Sequence, residues 1–534
     1  MNFFNTKLLT RLILRREIIN STLWIIITSV FLALIAFMFI HGMGMDAESR
    51  QAMAEVMDNP AMVAMVGPII GENHFTVGAM YTTMMLVFTA LAIIVMNILF
   101  VVRHTRADEE RGRYEVLRSL PVGRLSSLGA TLISAVIVNV ALGLLTGILL
   151  FVAGDYSMCF SGSMLWGVLL ASVGIVFATI AALFSQMCSN SRSAMGYSFA
   201  VMGVFYMMRA IGDVSVPILS MINPIGLIVF AEAWVSNNWW VVPLVLLFAF
   251  PPTLFAFRVN LKRDIDQGII PDKQGRAEAG KLLRTPFGLS LRLLKVSLIV
   301  GLATIFFIAA AYGAVMGDVD GFIESNEFYQ ALLAVAEGVP TAMLFAGMIN
   351  FILGMMALIP ILLYVLKARG EEKDSRAELI LAAAVCRKKY LGSYVIIGFV
   401  SSVFLQLLTA FGLWSVAVTV LPSPEDFPLP DVLIANLLFL PAIWVIIGVT
   451  VFLIGFLPKF TNLIWLVYGA VFFMGMFGRM DFIPIWVQRV TPFHFIPEHP
   501  IQDIAIIPLL VLVAIALCFT VAGFVGYNRR DITA

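Results

Sequence analysis

Charged side chains make up only 13% of this 534-residue chain, so where they cluster is the first clue to chemistry. One cluster reads RADEERGRYEVLRSLPVGRLSSLG from Arg106 to Gly129, and another reads RGEEKDSRAELILAAAVCRKKYLG from Arg369 to Gly392. Laid over one another without a gap they share Arg106 with Arg369, Glu109 with Glu372, Arg113 with Arg376 and Glu115 with Glu378. Val122 with Val385, Arg124 with Arg387, Leu128 with Leu391 and Gly129 with Gly392 complete eight identities in 24 positions. In the first copy, acid and base fall at the i,i+4 spacing that supports a helix: Arg106 with Glu110, Glu109 with Arg113, Arg111 with Glu115. Tyr114, Leu117 and Leu120 give that helix an apolar side, and Pro121 ends it. Such a helix is longer and more structured than a connection between adjacent spans requires, which points to something docking on it. A solvated charged loop is the competing reading.

Other residue types offer less. The histidines His41, His74, His104, His494 and His499 are scattered, with no metal or catalytic spacing, and Cys159, Cys188, Cys386 and Cys518 form no CxxC. A nucleotide-binding P-loop is not found: Gly275 to Lys281 (GRAEAGK) is followed by Leu282 where Ser or Thr should hold magnesium, and no strand precedes it. The sequence therefore predicts neither an enzyme nor a bound cofactor. Polar residues inside apolar runs, Asn97, Asn139, Asn350 and Gln406, are either markers of a translocation path or interhelical hydrogen bonds. Arg209 with Asp213, and Arg479 with Asp481, occupy equivalent places near the outer ends of two runs. They read as an outer gate or as snorkelling side chains.

These residues must be positioned by membrane helices. With 60% hydrophobic residues and a mean hydropathy of +0.97, the chain has too little polar surface for a soluble globule. Runs of about 20 apolar residues, enough to cross a bilayer core of roughly 30 Å, occur about twelve times. They lie near 22–42, 77–102, 128–153, 163–185, 193–212 and 238–258, then 293–316, 341–366, 393–421, 432–457, 461–479 and 505–526. Placing both termini in the cytoplasm puts 30 of the 34 Lys and Arg on the inner side, leaving out only Arg50, Arg209, Arg479 and Arg489. The expected fold is an all-α polytopic membrane protein of two parallel six-helix repeats. Residues 1–257 form the first half, with a coupling segment at 103–124; 258–292 form a cytoplasmic linker; 293–534 form the second half, with a segment at 367–389. Residues 3–19 and 281–295 are amphipathic and read as interfacial helices opening each half. No cleavable signal peptide is evident.

The string EERGRYEVLRSLPVGR, residues 109–124, resembles the E-x-G-x-x-E-x-L-x-x-x-P-V-x-R signature after the second span of bacterial ATP-binding-cassette exporter permeases of the second exporter class. The matching positions are Glu110, Gly112, Glu115, Leu117, Pro121, Val122 and Arg124. In its fused twelve-span form the chain is similar to permeases of polyketide, tetronasin or multidrug exporters. The resemblance implies that residues 106–120 and 369–383 are coupling helices seated on separate ATPase subunits, two copies per chain, which carry the ATP and magnesium. The residues assigned to that role are Arg106, Glu109, Glu110, Arg113, Tyr114, Glu115 and Leu117, with Arg369, Glu372, Arg376 and Glu378. The second copy departs from the pattern, with Ser375 for the glycine and Ala384 for the proline. The implied location is the bacterial cytoplasmic membrane, and the implied cargo an apolar or amphipathic compound such as a polyketide, drug, peptide or lipid. Spans rich in Met84, Met85, Phe88, Phe205, Met207, Phe472, Phe473 and Met474 agree with that cargo. Membrane lipid is an expected contact and nucleic acid is not. An ion-coupled twelve-span transporter is the second reading, but the G-x-x-x-D-R-x-G-R-R loop usual after its second span is missing; a membrane sensor or scaffold is the third.

Overall fold

A computed structural model of the chain describes residues 2–43, 50–51, 53–54, 57–58, 60–71, 75–264, 267–270, 278–318, 341–383, 385–478, 484–497, 499 and 502–531. Among these residues every regular element is helical. This follows from the solvent: in hydrocarbon a helix satisfies its own N–H and C=O groups, whereas an open sheet edge would leave them bare. The chain divides into two compact units, Met1–Gln274 and Gly275–Ala534.

The first unit contains α1 (Thr6–Met38), α2 (Pro60–Val66), α3 (Val77–His104), α4 (Arg106–Glu110), α5 (Arg113–Arg118), α6 (Ser126–Ala153), α7 (Phe160–Met187), α8 (Ser191–Val214), α9 (Val241–Leu247) and α10 (Phe250–Lys262). The separate interfacial helix expected over 3–19 is instead the opening of α1, which runs unbroken for 33 residues. No glycine or proline interrupts it from Thr6 to Met38, so nothing stops the helix at the membrane surface. Helix α7 is the centre of the unit, packed by α3, α6, α8 and α10. Its closest approach is to α6, where a Cβ on Gly143 would lie 2.6 Å from the Gly167 carbonyl oxygen. Small residues let these backbones touch, which is how helices associate when lipid offers no hydrophobic drive.

The second unit contains α11 (Pro286–Val315), α12 (Thr341–Lys373), α13 (Arg376–Leu381), α14 (Arg387–Val420), α15 (Leu429–Leu437), α16 (Leu440–Phe456), α17 (Leu463–Gly478) and α18 (Ile506–Arg529). The helix expected over 281–295 begins late, at Pro286, because Thr285 caps it: the Thr285 Oγ1 accepts the Gly288 N–H at 3.1 Å. Helix α14 packs on α11 and α12, and α16 packs on α18 with Gly455 facing Gly523. Eleven stretches among the described residues are long and apolar enough to span a membrane, the pairs α9–α10 and α15–α16 each counting as one. The run expected at 461–479 is α17, which is described for 16 residues. The protein is thus a multi-pass membrane protein.

Because α6 and α7 touch backbone to backbone, Gly167→Val should cost about 1–3 kcal/mol through overpacking. The check is the melting temperature of the detergent-solubilised chain, with Gly203→Val as control, since a Cβ on Gly203 meets nothing within 4 Å.

Candidate functional site

The two duplicated segments fold as elbows at the ends of α3 and α12. A single helix over 106–120 is expected from the ion-pair spacing, but two short ones form, α4 and α5, separated at Arg111–Gly112. Gly112 adopts φ +69°, a left-handed turn that costs glycine little. Its counterpart Ser375 adopts φ +56° and makes the same turn between α12 and α13, at a cost of roughly 1–2 kcal/mol for a residue with a Cβ. The second elbow therefore keeps the turn despite losing the glycine.

Beneath each elbow lies a carboxylate held between two guanidinium groups. Glu109, 5% exposed, lies 3.0 Å from Arg106 and receives both terminal nitrogens of Arg263, at 2.8 and 2.7 Å. Glu372, 1% exposed, lies 2.8 Å from Arg369 and receives Arg530 on both oxygens, at 2.9 and 2.7 Å. Arg263 caps the C-terminus of α10 and Arg530 that of α18, the last membrane helix of each unit. The surrounding contacts repeat as well. Arg106 donates to the Ser189 carbonyl after α7, as Arg369 donates to the Pro458 carbonyl after α16. Arg124 binds the Asn260 and Arg263 carbonyls, as Arg387 binds those of Asn528 and Arg530. Each elbow is thus clasped to the end of its unit's last span. The Arg263 pair is bidentate, one guanidinium nitrogen to each oxygen, which supplies both strength and fixed geometry, whereas a single Arg530 nitrogen serves both oxygens of Glu372.

This arrangement divides the residues assigned to docking into two groups. Arg106, Glu109, Arg369 and Glu372 are internal ties. Glu110 accepts the Ser191 N–H at 2.5 Å and its hydroxyl at 2.6 Å, pinning α4 to the start of α8. Asp108, absent from the sequence assignment, binds Arg16 of α1 at 2.8 Å and Arg113 at 2.9 Å; Arg376 lies 3.5 Å from Glu371. Tyr114 is buried, and Leu117 packs with Leu9, Ile13 and Ala130. Among the outward residues are Glu115 with Val116 in the first elbow and Glu378 with Leu379 in the second, beside the half-exposed Arg113 and Arg376 and the exposed Leu120. Val116 is 67% exposed and Leu379 77%, at matching positions. Sequence reasoning missed Arg263 and Arg530, whose only signal was that each follows its unit's last apolar run.

The polar residues within spans take different roles. Asn97 and Asn139 exchange amide hydrogen bonds at 2.9 and 2.6 Å, and each also donates to the carbonyl four residues back. They form a closed tie between α3 and α6. Asn350 accepts from Asn436 at 3.3 Å and lines a cavity of about 240 Å³ with Phe439, Gln488, His494 and His499. Gln406 is fully buried, and its amide has no hydrogen-bond partner among the described residues. Arg209 is buried rather than snorkelling: it pairs with Asp213 at 3.0 Å and donates to the Ala64 carbonyl at 2.5 Å, tying α2 to α8. Arg479 and Asp481 lie outside the described residues.

If the clasp holds the elbow, Arg263→Ala or Arg530→Ala should destabilise the chain by about 3–5 kcal/mol, the cost of stripping one partner from a buried ion pair. Lysine at 263 should restore only part of this, since an ammonium cannot reproduce the two parallel bonds of the Arg263 fork, whereas Arg530 works through one nitrogen and lysine there should restore more. Melting curves of the purified variants provide the measurement. For the amide tie, Asn97→Leu or Asn139→Leu alone strands a buried amide. The double variant strands none and should recover about 1–2 kcal/mol relative to either single change.

The family model described as "Multidrug efflux system permease Rv1217c, C-terminal domain" matches residues 10–250 and 283–528, one stretch in each unit. The "Multidrug efflux system permease protein Rv1217c" of Mycobacterium tuberculosis is 31% identical over 532 residues, covering 99% of this chain and 96% of the relative. The chain therefore belongs to the Rv1217c family of multidrug efflux system permeases.

Proposed function

We propose that this chain is the membrane subunit of an ATP-binding-cassette exporter, in a twelve-span form seated in the bacterial cytoplasmic membrane. On this reading two separate ATPase subunits bind ATP and magnesium, and each receives one elbow. The chain itself hydrolyses nothing and holds no cofactor. Closure of the ATPases draws the elbows with them, the clasps pass that displacement to the last spans, and the bundle alternates between inward and outward access. The cargo is an apolar or amphipathic compound, in keeping with the multidrug efflux name of the relative.

The observation that carries the reading is the repeated elbow, tied internally by Glu109 or Glu372 while presenting an acid and an exposed aliphatic side chain outward. A side chain as exposed as Leu379 is a natural anchor for a pocket on a partner. The docking face is accordingly Glu115, Val116, Glu378 and Leu379 rather than the buried arginines.

The test is reconstitution with the cognate ATPase. Val116→Asp with Leu379→Asp should lower permease-dependent ATP turnover about tenfold or more, a loss of at least 1.4 kcal/mol in docking. Glu115→Lys with Glu378→Lys should weaken subunit association in the same direction. Unchanged turnover and association in both double variants would remove the docking face. Transport driven by an ion gradient, with no nucleotide-hydrolysing partner present, would overturn the reading as a whole.

A further inference from the structure

Between α1 and α3 of the first unit, floored by α6, lies a cavity of about 490 Å³, within the size range of sites for drug-like molecules. Its lining changes character along its length. At the end nearer the elbow stand Glu17, Asn20 and Arg103; farther along α1 and α3 come Trp24, Phe100 and Met96. From Glu17 to Thr28, the lining residues of α1 extend over ~16 Å of helix at 1.5 Å per residue. The cavity therefore has a charged end and an aromatic, thioether-lined body.

We propose that this cavity binds an amphipathic amine, with Glu17 as the counter-charge to its ammonium group and Trp24 and Phe100 flanking its apolar body. Glu17 is only 3% exposed, yet one of its oxygens, Oε1, accepts no hydrogen bond among the described residues and lies 3.4 Å from His104 Nε2. The other oxygen accepts from Asn20 at 2.9 Å and lies 3.3 Å from Arg103 Nη1. The two charged partners are held unequally: the side chain of Glu17 is 4% exposed and that of Arg103 is 49% exposed. Arg103 can swing outward and leave the carboxylate to an incoming cation, whereas the carboxylate cannot leave. This asymmetry selects a cation over an anion, since an anion seeking Arg103 would meet a fixed carboxylate beside it. Aromatic faces then stabilise the desolvated cation, and the thioether of Met96 adapts to its shape. The identification of this amine as exported cargo rests on the efflux reading; its binding does not.

The experiment measures equilibrium binding of the fluorescent amphipathic cation rhodamine 6G to the full chain in phosphatidylglycerol nanodiscs, without ATP or ATPase. A failure here is thereby separate from a failure of ATPase coupling. Glu17→Gln should weaken rhodamine binding at least about tenfold and leave the neutral amphiphile N-phenylnaphthylamine unaffected, while Arg103→Ala should preserve or tighten rhodamine binding. Ser21→Trp, which fills the cavity without altering Glu17, should abolish binding of the cation and remains informative if Glu17→Gln fails to fold. Rhodamine binding undiminished in Ser21→Trp, or weakened as much by Arg103→Ala as by Glu17→Gln, would overturn the proposal. Phosphatidylethanolamine in the nanodisc separates the two sources of amine. Competition that vanishes in Glu17→Gln assigns the site to a lipid amine, and its absence beside Glu17-dependent dye binding assigns the site to a soluble compound.

Discussion

In each unit a carboxylate that water cannot reach is held by two arginines from different parts of the chain. Removing such charges from water costs several kcal/mol per ion, so the arrangement persists only where geometry and additional hydrogen bonds repay it. Here they do: Arg263 and Arg530 each meet their carboxylate with paired bonds, and Arg124 and Arg387 occupy the carbonyls at the ends of α10 and α18. These carbonyls are among the groups a helix cannot satisfy internally. The clasp thus completes the end of the last span and fixes the elbow in one arrangement.

The rest of each unit depends on that anchoring because little else in the membrane is directional. Lipid tails are as apolar as the side chains between the helices, so association relies on close fit and a few polar ties. The contact between Gly143 and Gly167 provides close fit, and the reciprocal amides of Asn97 and Asn139 provide a tie. Arg209 acts similarly, gripping the Ala64 carbonyl from inside the fold.

Helical class and the positions of most spans were legible in the sequence because hydropathy reports directly on burial in lipid. The elbow was legible as a segment but not as a shape. Ion-pair spacing favoured one helix across 106–120, whereas Gly112 permitted a left-handed turn and Glu110 was drawn to Ser191, a residue 81 positions away. Spacing within a segment carries no information about such distant partners. The same limit applies to Arg263 and Arg530, which lie far along the chain from the carboxylates they bind, and to Tyr114 and Leu117, whose apolar side packs inward rather than toward a partner. The unbroken α1 could have been inferred, since no glycine or proline interrupts it.

The two elbows are also joined to their spans differently. In the first unit Thr105 leaves the helical region, with φ −117° and ψ −90°, between α3 and α4. In the second, α12 runs without interruption through the aligned position, Ala368, and carries Pro360 within it. Proline removes a backbone hydrogen bond and is a recognised point of bending. If the elbows act as levers, as proposed, the pivot of the first sits at its root, and the proline at which the second would bend lies eight residues deeper, ~12 Å along the helix at 1.5 Å per residue. On that reading, equal pushes on the two levers become a swivel at the membrane surface in one half and a tilt about Pro360 in the other, so the sequence twins are mechanically inequivalent.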